Sequence, residues 1–251
     1  MIVSPIASDL ARALDPVLLA EQAGLVPDPW QAQVLRSTAP RMLLNASRQS
    51  GKSTITSLLA LHTAIYEPGS LTLMLSKAER QSGELFRKCM TAYNALRRPV
   101  EAKSEGALHL ELTNGSRIIA LPGKEETIRS FSAVRLLLID EASKVPDGLY
   151  HAVRPMLAVS QGRLVGLSTP YGKRGWWSNA WHSDESWERY EVPATACARI
   201  SGEFLAEEER TQGAGWYAQE YLCQFVEADT QPFLAADVAR AFAAESEAWE
   251  L

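Results

Sequence analysis

NASRQSGKST, residues 45–54, follows the short apolar run RMLL (41–44). A phosphate-binding loop has the form G-x-x-x-x-G-K-[ST], in which backbone N–H groups wrap a phosphate at the start of a helix. Gly51, Lys52 and Ser53 stand where that pattern requires them, but Ala46 occupies the first glycine position and Arg48 sits mid-loop. RMLLNA (41–46) reads as a buried strand. KSTITSLLALHTAIY (52–66) reads as a helix with apolar residues at helical spacing, ended by Glu67-Pro68-Gly69. Between such a strand and such a helix the backbone amides of Ser50 to Thr54 would wrap a β-phosphate. Lys52 would reach the β- and γ-phosphates, and the Ser53 hydroxyl would ligate Mg²⁺. A serine-rich turn without ligand chemistry is the alternative.

A second stretch weighs against that alternative. VRLLLIDEAS (134–143) has too many consecutive apolar residues for a half-exposed strand and reads as a central parallel strand covered on both faces. It ends in Asp140-Glu141, the Walker B arrangement, and two adjacent carboxylates at the end of a buried strand are costly unless a cation is near. Asp140 is the candidate Mg²⁺ ligand, through water. Glu141 is the candidate that polarises the attacking water. The two motifs in this order point to ATP hydrolysis.

The remaining pattern supplies a frame for them. LTLMLS (71–76) and RLVGLSTP (163–170) are further apolar strands, and KAERQSGELFRKCMTAYNALRRP (77–99) is an amphipathic helix stopped by proline. ALHLELTNGSRIIALPG (107–123) alternates, turns at Asn114-Gly115 and alternates again, a hairpin signal. Residues 1–40 are helical and then irregular, and the chain beyond Pro193 is mainly helical with a break at TQGAG (211–215). Strands alternating with helices imply an α/β fold, a parallel sheet flanked by helices, with ligands at the carboxyl ends of the strands. Lys52, Asp140 and Ser168 fall at such ends. Gln31, just before the first strand, is placed to read adenine with its amide, with Trp30 bracing the base or the loop; a plain helix start is the alternative. Ser168 and Thr169 can sense the γ-phosphate or a nearby water, or can be an ordinary strand-to-turn pair.

Bulk properties bound the class. The chain has 251 residues, 46% apolar and 22% charged, an ordinary globular balance without an apolar run long enough to cross a bilayer or a basic leader. Cys89, Cys197 and Cys223 are far apart, which suits a reducing cytosol and argues against a zinc site or disulfide frame. Net charge is −5, but residues 201–251 hold eleven acids against two arginines, a balance of −9, which leaves +4 for residues 1–200. The first four-fifths can therefore present a basic surface, or the acids can simply be a solvated helical face.

From PDPWQAQVL (27–35) to EYLCQFVEADTQPF (220–233) the chain resembles the large terminase subunits of tailed bacteriophages, the ATPases that drive DNA into procapsids. In that family the phosphate loop commonly lacks its first glycine and reads like SRQSGKS, so Ala46 fits the family pattern. The resemblance implies a P-loop NTPase of the ASCE, RecA-like type, with a core over 1–194 and a small helical lid from about Thr195 to 251. It implies that Ser47, Gln49, Ser50, Gly51, Lys52, Ser53 and Thr54 line the site for ATP and Mg²⁺, and that Arg48 acts on phosphates in cis. Arg129, in KEETIRSFSAV, looks like the arginine offered in trans to a neighbouring subunit's ATP. Ser168-Thr169-Pro170 matches the motif that couples hydrolysis to lid movement. The implied partners are double-stranded DNA, a portal protein, a small terminase subunit and further copies of the chain in a ring of five, in the cytoplasm of a bacterial host, with no membrane. Full-length members carry a C-terminal nuclease domain. This chain ends at Leu251, about where that domain starts, its last acids read as helix surface, and no nuclease activity is expected of it.

A translocating motor grips phosphates without reading bases. The basic candidates are Lys77, Arg80, Arg87, Lys88, Arg97, Arg98, Lys173 and Arg174, any of which can also be an ordinary soluble surface charge. Two rivals remain. A superfamily 2 helicase shares the glutamine, GK[ST] and DExx signals but needs a second lobe with its own arginine motif, and only 110 residues follow Glu141. A scaffold that binds ATP without turnover would have no use for Glu141.

Overall fold

The computed structural model describes residues 4–122, 128 and 131–227. Arg129 and the alanine-rich acidic stretch after Glu227 lie outside the described residues. The chain begins with three short helices, α1 (Pro5–Leu14), α2 (Pro16–Gln22) and α3 (Pro29–Arg36), each with proline in its first turn. Proline suits that position because its missing N–H would have had no helical partner there.

Strand β1 (Arg41–Ala46) leads through the loop into α4 (Lys52–Tyr66), followed by β2 (Leu71–Ser76) and α5 (Glu79–Ala95). A meander of β3 (Ala102–Glu105), β4 (His109–Leu112) and β5 (Arg117–Pro122) comes next, then β6 (Leu136–Asp140) and α6 (Asp147–Val153). The described chain closes with β7 (Arg163–Ser168), α7 (Gly175–His182), β8 (Glu188–Val192), α8 (Gly202–Gln212) and α9 (Ala214–Glu220).

All eight strands form one sheet in the order β3-β4-β5-β2-β6-β7-β1-β8. The six strands from β5 to β8 run parallel, and only the β3-β4-β5 edge is antiparallel. β7 separates the loop strand β1 from the acidic strand β6, with Asn45 level with Ser168 and Leu167 level with Asp140. Three strand ends therefore converge at one edge of the sheet.

Side-chain alternation along the strands divides the core between the two faces. Met42 and Leu44 of β1, with Leu136 and Leu138 of β6, join the cluster built with α2 to α5. Leu43, Leu137 and Ile139 join the opposite cluster with α6 and α7. Arg189 of β8 fixes the end of α7, donating to the carbonyls of Trp181, Ala180 and Ser183 at 3.0, 3.0 and 2.7 Å. A third, small cluster of Ala194, Leu205, Tyr217 and Tyr221 holds α8 against α9. Among the described residues no helix is long and apolar enough to cross a membrane.

The C-terminus of α4 is closed by side chains from other elements. The last carbonyls of a helix lack intrahelical donors. Ser70 donates to Thr63 O, Asn114 to Ala64 O and Ile65 O, and Ser116 to Glu67 O, at 3.2, 2.9, 3.3 and 3.1 Å. The Asn114-Gly115 turn thus does more than reverse the hairpin, because it docks onto the loop helix.

Gly166 in β7 marks the tightest approach on the α7 face. A Cβ there would lie 2.8 Å from Trp177 Cζ3 and 3.3 Å from Trp176 Cη2. Trp177 is almost wholly buried. Gly166→Ala should therefore overpack the face and cost about 1–3 kcal/mol, read as a lower urea midpoint with unchanged slope.

Candidate functional site

The loop after β1 turns on two residues with left-handed backbone, Gln49 (φ 61°) and Gly51 (φ 92°). Gly51 is required twice over. Its φ favours glycine, and a Cβ would sit 2.8 Å from the Gln31 side-chain nitrogen. Within the loop, Ser50 Oγ donates to Ser47 O at 2.8 Å and Lys52 Nζ donates to the same carbonyl at 3.2 Å. Ser47 is itself tied to the neighbouring strand through Ser47 N and Val192 O at 2.9 Å.

Two side chains brace the loop from outside. Gln31 is buried, accepts from Asp28 N at 2.9 Å and donates to Ser50 O at 3.2 Å. Each end of its amide thus has a protein partner, and in this arrangement the residue joins the start of α3 to the loop. Trp30 packs partly buried against the α4-side core. Arg199, which precedes α8, donates to Ser50 O and to Asp28 Oδ1, both at 2.9 Å.

Opposite the loop stand the acids of β6. Lys52 and Asp140 are both buried. Burial pushes the Lys52 ammonium below its usual range, opposed by attraction to Asp140 and Glu141. Asp140 is pushed up to about 6, by desolvation first and by the like charge of Glu141 second. Glu141 has left-handed backbone (φ 51°, ψ 41°), a conformation uncommon outside glycine, held by Glu141 N donating to Asp140 Oδ1 at 2.9 Å. Its carboxylate pairs with Lys144 at 3.0 Å. Next to it, Ser168 at the end of β7 shares a 2.8 Å hydroxyl contact with Ser143.

Residues of the loop, Glu141 just past β6 and the segment around Arg199 line one cleft of about 810 Å³, within the range of roughly 300–1,000 Å³ usual for small-molecule sites. Phe204 of α8 forms part of its wall, and so does Lys88 of α5, which the sequence grouped with the candidate DNA contacts. The donors suit a hard divalent cation: the Ser53 hydroxyl and the Asp140 carboxylate, which burial and the like charge of Glu141 destabilise.

The mid-loop arginine has a partner that no motif announces. Arg48 Nε donates to Glu220 Oε2 at 2.5 Å, and Arg48 N donates to Glu220 O at 3.2 Å. Thr169 Oγ1 donates to the same carboxylate oxygen at 3.3 Å. Ser168 and Thr169 therefore face different partners, Ser143 and Glu220. The other basic candidates have mixed surroundings. Arg87 pairs with Glu84, Arg98 with Glu105 and Lys173 with Glu227, while Arg174 lies over the ring of Tyr171. Arg97 and Arg98 lie past the end of α5 with left-handed backbone, and Lys77 and Arg80 flank its start.

A family model described as "Terminase large subunit, T4likevirus-type, N-terminal" matches residues 43–245. The chain belongs to that family. Among curated proteins, this terminase chain is 27% identical over 171 residues to the terminase large subunit of Thermus virus P23-45, covering 61% of this chain and 35% of the relative. It thus spans about a third of the length of the curated relatives it matches. Its fold is similar to that of the large terminase ATPase domain of Thermus phage P74-26, with TM-score 0.73 and 20% identity over 82% of this chain and 97% of that one. The large terminase of another thermophilic bacteriophage, in complex with ADP, also shares the fold, with TM-score 0.61 and 13% identity over 86% of this chain and 53% of that one.

The raised Asp140 carboxyl gives a test of the site's electrostatics in metal-free buffer. Largely protonated in both folded and unfolded chains below about pH 4, it imposes a folding cost that grows between about pH 4 and about pH 6 and is constant above. Asp140→Asn should therefore melt higher than the parent chain at pH 7.5, by on the order of 2–3 kcal/mol of stability. The two chains should melt alike near pH 4, as followed by thermal unfolding across pH.

Proposed function

We propose that this chain is the ATP-hydrolysing motor part of a viral terminase large subunit, which draws double-stranded DNA into a procapsid. The observation that carries the reading is the meeting of a buried Lys52 on the loop with Asp140 and Glu141 at the end of β6, two strands away in the sheet. That pairing of a phosphate-sized cradle with a poised carboxylate is what phosphoryl transfer to water needs, because its catalysis is positioning and charge stabilisation.

In this reading the amides of Ser50 to Thr54 bind the β-phosphate at the α4 N-terminus, where the helix dipole favours anions. Lys52 gives up its contact with Ser47 O to reach the β- and γ-phosphates. Ser53 and Asp140 would hold the magnesium ion, which supplies charge neutralisation at those phosphates. Glu141 orients and polarises the attacking water. Gln31, Trp30 and Arg199 hold the loop in shape. Arg48 acts on phosphates in cis, and Arg129 serves a neighbouring subunit's site in trans.

Residues 1–194 form the ATPase core of this motor, and the chain from 195 onward, with α8 and α9, forms its lid. Ser168 and Thr169 pass the state of the phosphates to that lid. Lys77, Arg80, Arg87, Arg97, Arg98, Lys173 and Arg174 supply candidate DNA-backbone contacts. The assembly is a ring of five on a portal in the host cytoplasm, loaded through a small terminase subunit. Support comes from the family membership and from the fold shared with a neighbour that holds ADP.

Glu141→Gln should lower hydrolysis by at least about 10²-fold while ATP binding persists, and Lys52→Ala should abolish binding, measured by phosphate release and calorimetry. An unchanged rate in Glu141→Gln would instead point to a nucleotide-binding scaffold. The rate per subunit should rise with protein concentration, and Arg129→Ala should remove that rise at a cost of roughly 10³-fold or more in the assembled state. A concentration-independent rate indifferent to Arg129 would mean a self-contained site and would sink the ring.

A further inference from the structure

Four cations line the cleft: Arg48, Lys52, Lys88 and Arg199. Three of them already have partners in the protein. Arg48 pairs with Glu220, Lys52 donates to Ser47 O at 3.2 Å, and Arg199 donates to Asp28 Oδ1 and Ser50 O. Lys88, exposed on α5, makes no ion pair or hydrogen bond among the described residues. The helix beneath it is anchored, because Leu85 and Cys89, one turn apart, are buried in the core shared with α4. The backbone at Lys88 is therefore fixed, and the freedom that remains is in its four-carbon stem.

The sheet order gives the cleft a direction. α5 follows β2, which lies beside β6, whereas Arg199 and Phe204 follow β8, on the other side of β1. The loop after β1 lies between these two walls. Lys88 thus enters from the side of the acids, and its ammonium is close enough to Asp140 to favour that carboxylate's charged form. A nucleotide with its β-phosphate on the loop amides must point its γ-phosphate toward Glu141, since the attacking water is held between the two. The base then falls on the Arg199 side. We propose that Lys88 is a nucleotide-binding residue whose ammonium holds the γ-phosphate of ATP from the β2 side of the cleft. The inference rests on the ATP-binding reading of the loop.

The contact separates ATP from ADP. The γ-phosphate brings charge to the acidic end of the cleft, and an ammonium with no other partner can meet it with a charge-assisted hydrogen bond. ADP ends one phosphate short of that place. Because Lys88 is exposed, water and salt screen the attraction and keep it modest. The same assignment sorts the cations of α5. Arg87 and Lys88 are consecutive, so they lie about 100° apart around the helix. Arg87 pairs with Glu84 and lines a separate groove with Arg80 and Met90. α5 thus turns one cation toward the nucleotide and others toward a different surface.

The experiment is calorimetric titration of the full chain with ATPγS and with ADP, in magnesium, for the parent, Lys88→Gln and Lys88→Arg. Lys103→Gln is the control, since Lys103 is exposed on β3 and paired with Glu111. Lys88→Gln should weaken ATPγS binding roughly fivefold, the worth of one partly screened charge contact, while ADP affinity changes less than about twofold. Lys88→Arg should recover most of the loss, and Lys103→Gln should leave both affinities unchanged. Added salt should erode the parent's preference for ATPγS more steeply than that of Lys88→Gln. An ATPγS-to-ADP ratio unmoved by Lys88→Gln overturns the inference and leaves the ATP-binding reading intact. An unmoved ratio with weaker binding of duplex DNA by the same variant also overturns it and returns Lys88 to the DNA contacts. A parent chain that binds neither nucleotide better than Lys52→Ala overturns the ATP-binding reading and the inference with it.

Discussion

Burial strips the Lys52 ammonium of much of its hydration, and what offsets that cost is carboxylate charge on a different strand. The same trade holds in reverse for Asp140, pushed up to about 6 by desolvation and by Glu141 beside it. Neither partner is comfortable alone, and the sheet order brings them together. With β7 between β1 and β6, a lysine that starts α4 and an acid that ends β6, two strands away in the sheet, come within electrostatic reach of each other. If β6 ran beside β1, no strand end would lie between the loop and the acids, and Ser168 and Thr169 would have no place in the site. Burying two like charges side by side works against stability, the kind of arrangement that marks functional sites.

Much of the fold could be read along the chain because its central strands are short apolar runs bounded by turn residues. The residue limits expected for β1, α4 and β2 coincide with those observed, and the hairpin turns at Asn114-Gly115 as its alternation implies. The edge strands were not legible. β3 (AKSE) and β8 (ERYEV) are largely exposed or half-buried, so they carry the charges that edges tolerate and no apolar run that marks them. The α5 pattern overran its helix at both ends, since Lys77 and Ala78 precede the observed start and Arg97 onward leaves helical geometry.

The site divides along the same line. Walker-type residues are local, and their spacing alone announces them. The braces are not local: Arg48 meets Glu220 at a separation of 172 residues, and Arg199 meets Asp28 at 171. No periodicity encodes such a pair. Gln31 shows the limit from the other side. Its place before the first strand points to the nucleotide site, and three-dimensional packing adds contacts of its amide with Ser50 O and Asp28 N. The proximity to the loop was legible, but these two protein contacts were not.

Asn114 and its two serine neighbours carry a mechanical consequence beyond capping. With Ser70, Asn114 and Ser116 seated on its final carbonyls and the phosphate loop folded over its first turn, α4 is gripped at both ends by elements that belong to the sheet. A helix held in this way cannot slide along its own axis without breaking contacts at both ends, so it sets a fixed reference for the segments that rest on the loop, among them the small cluster of α8 and α9.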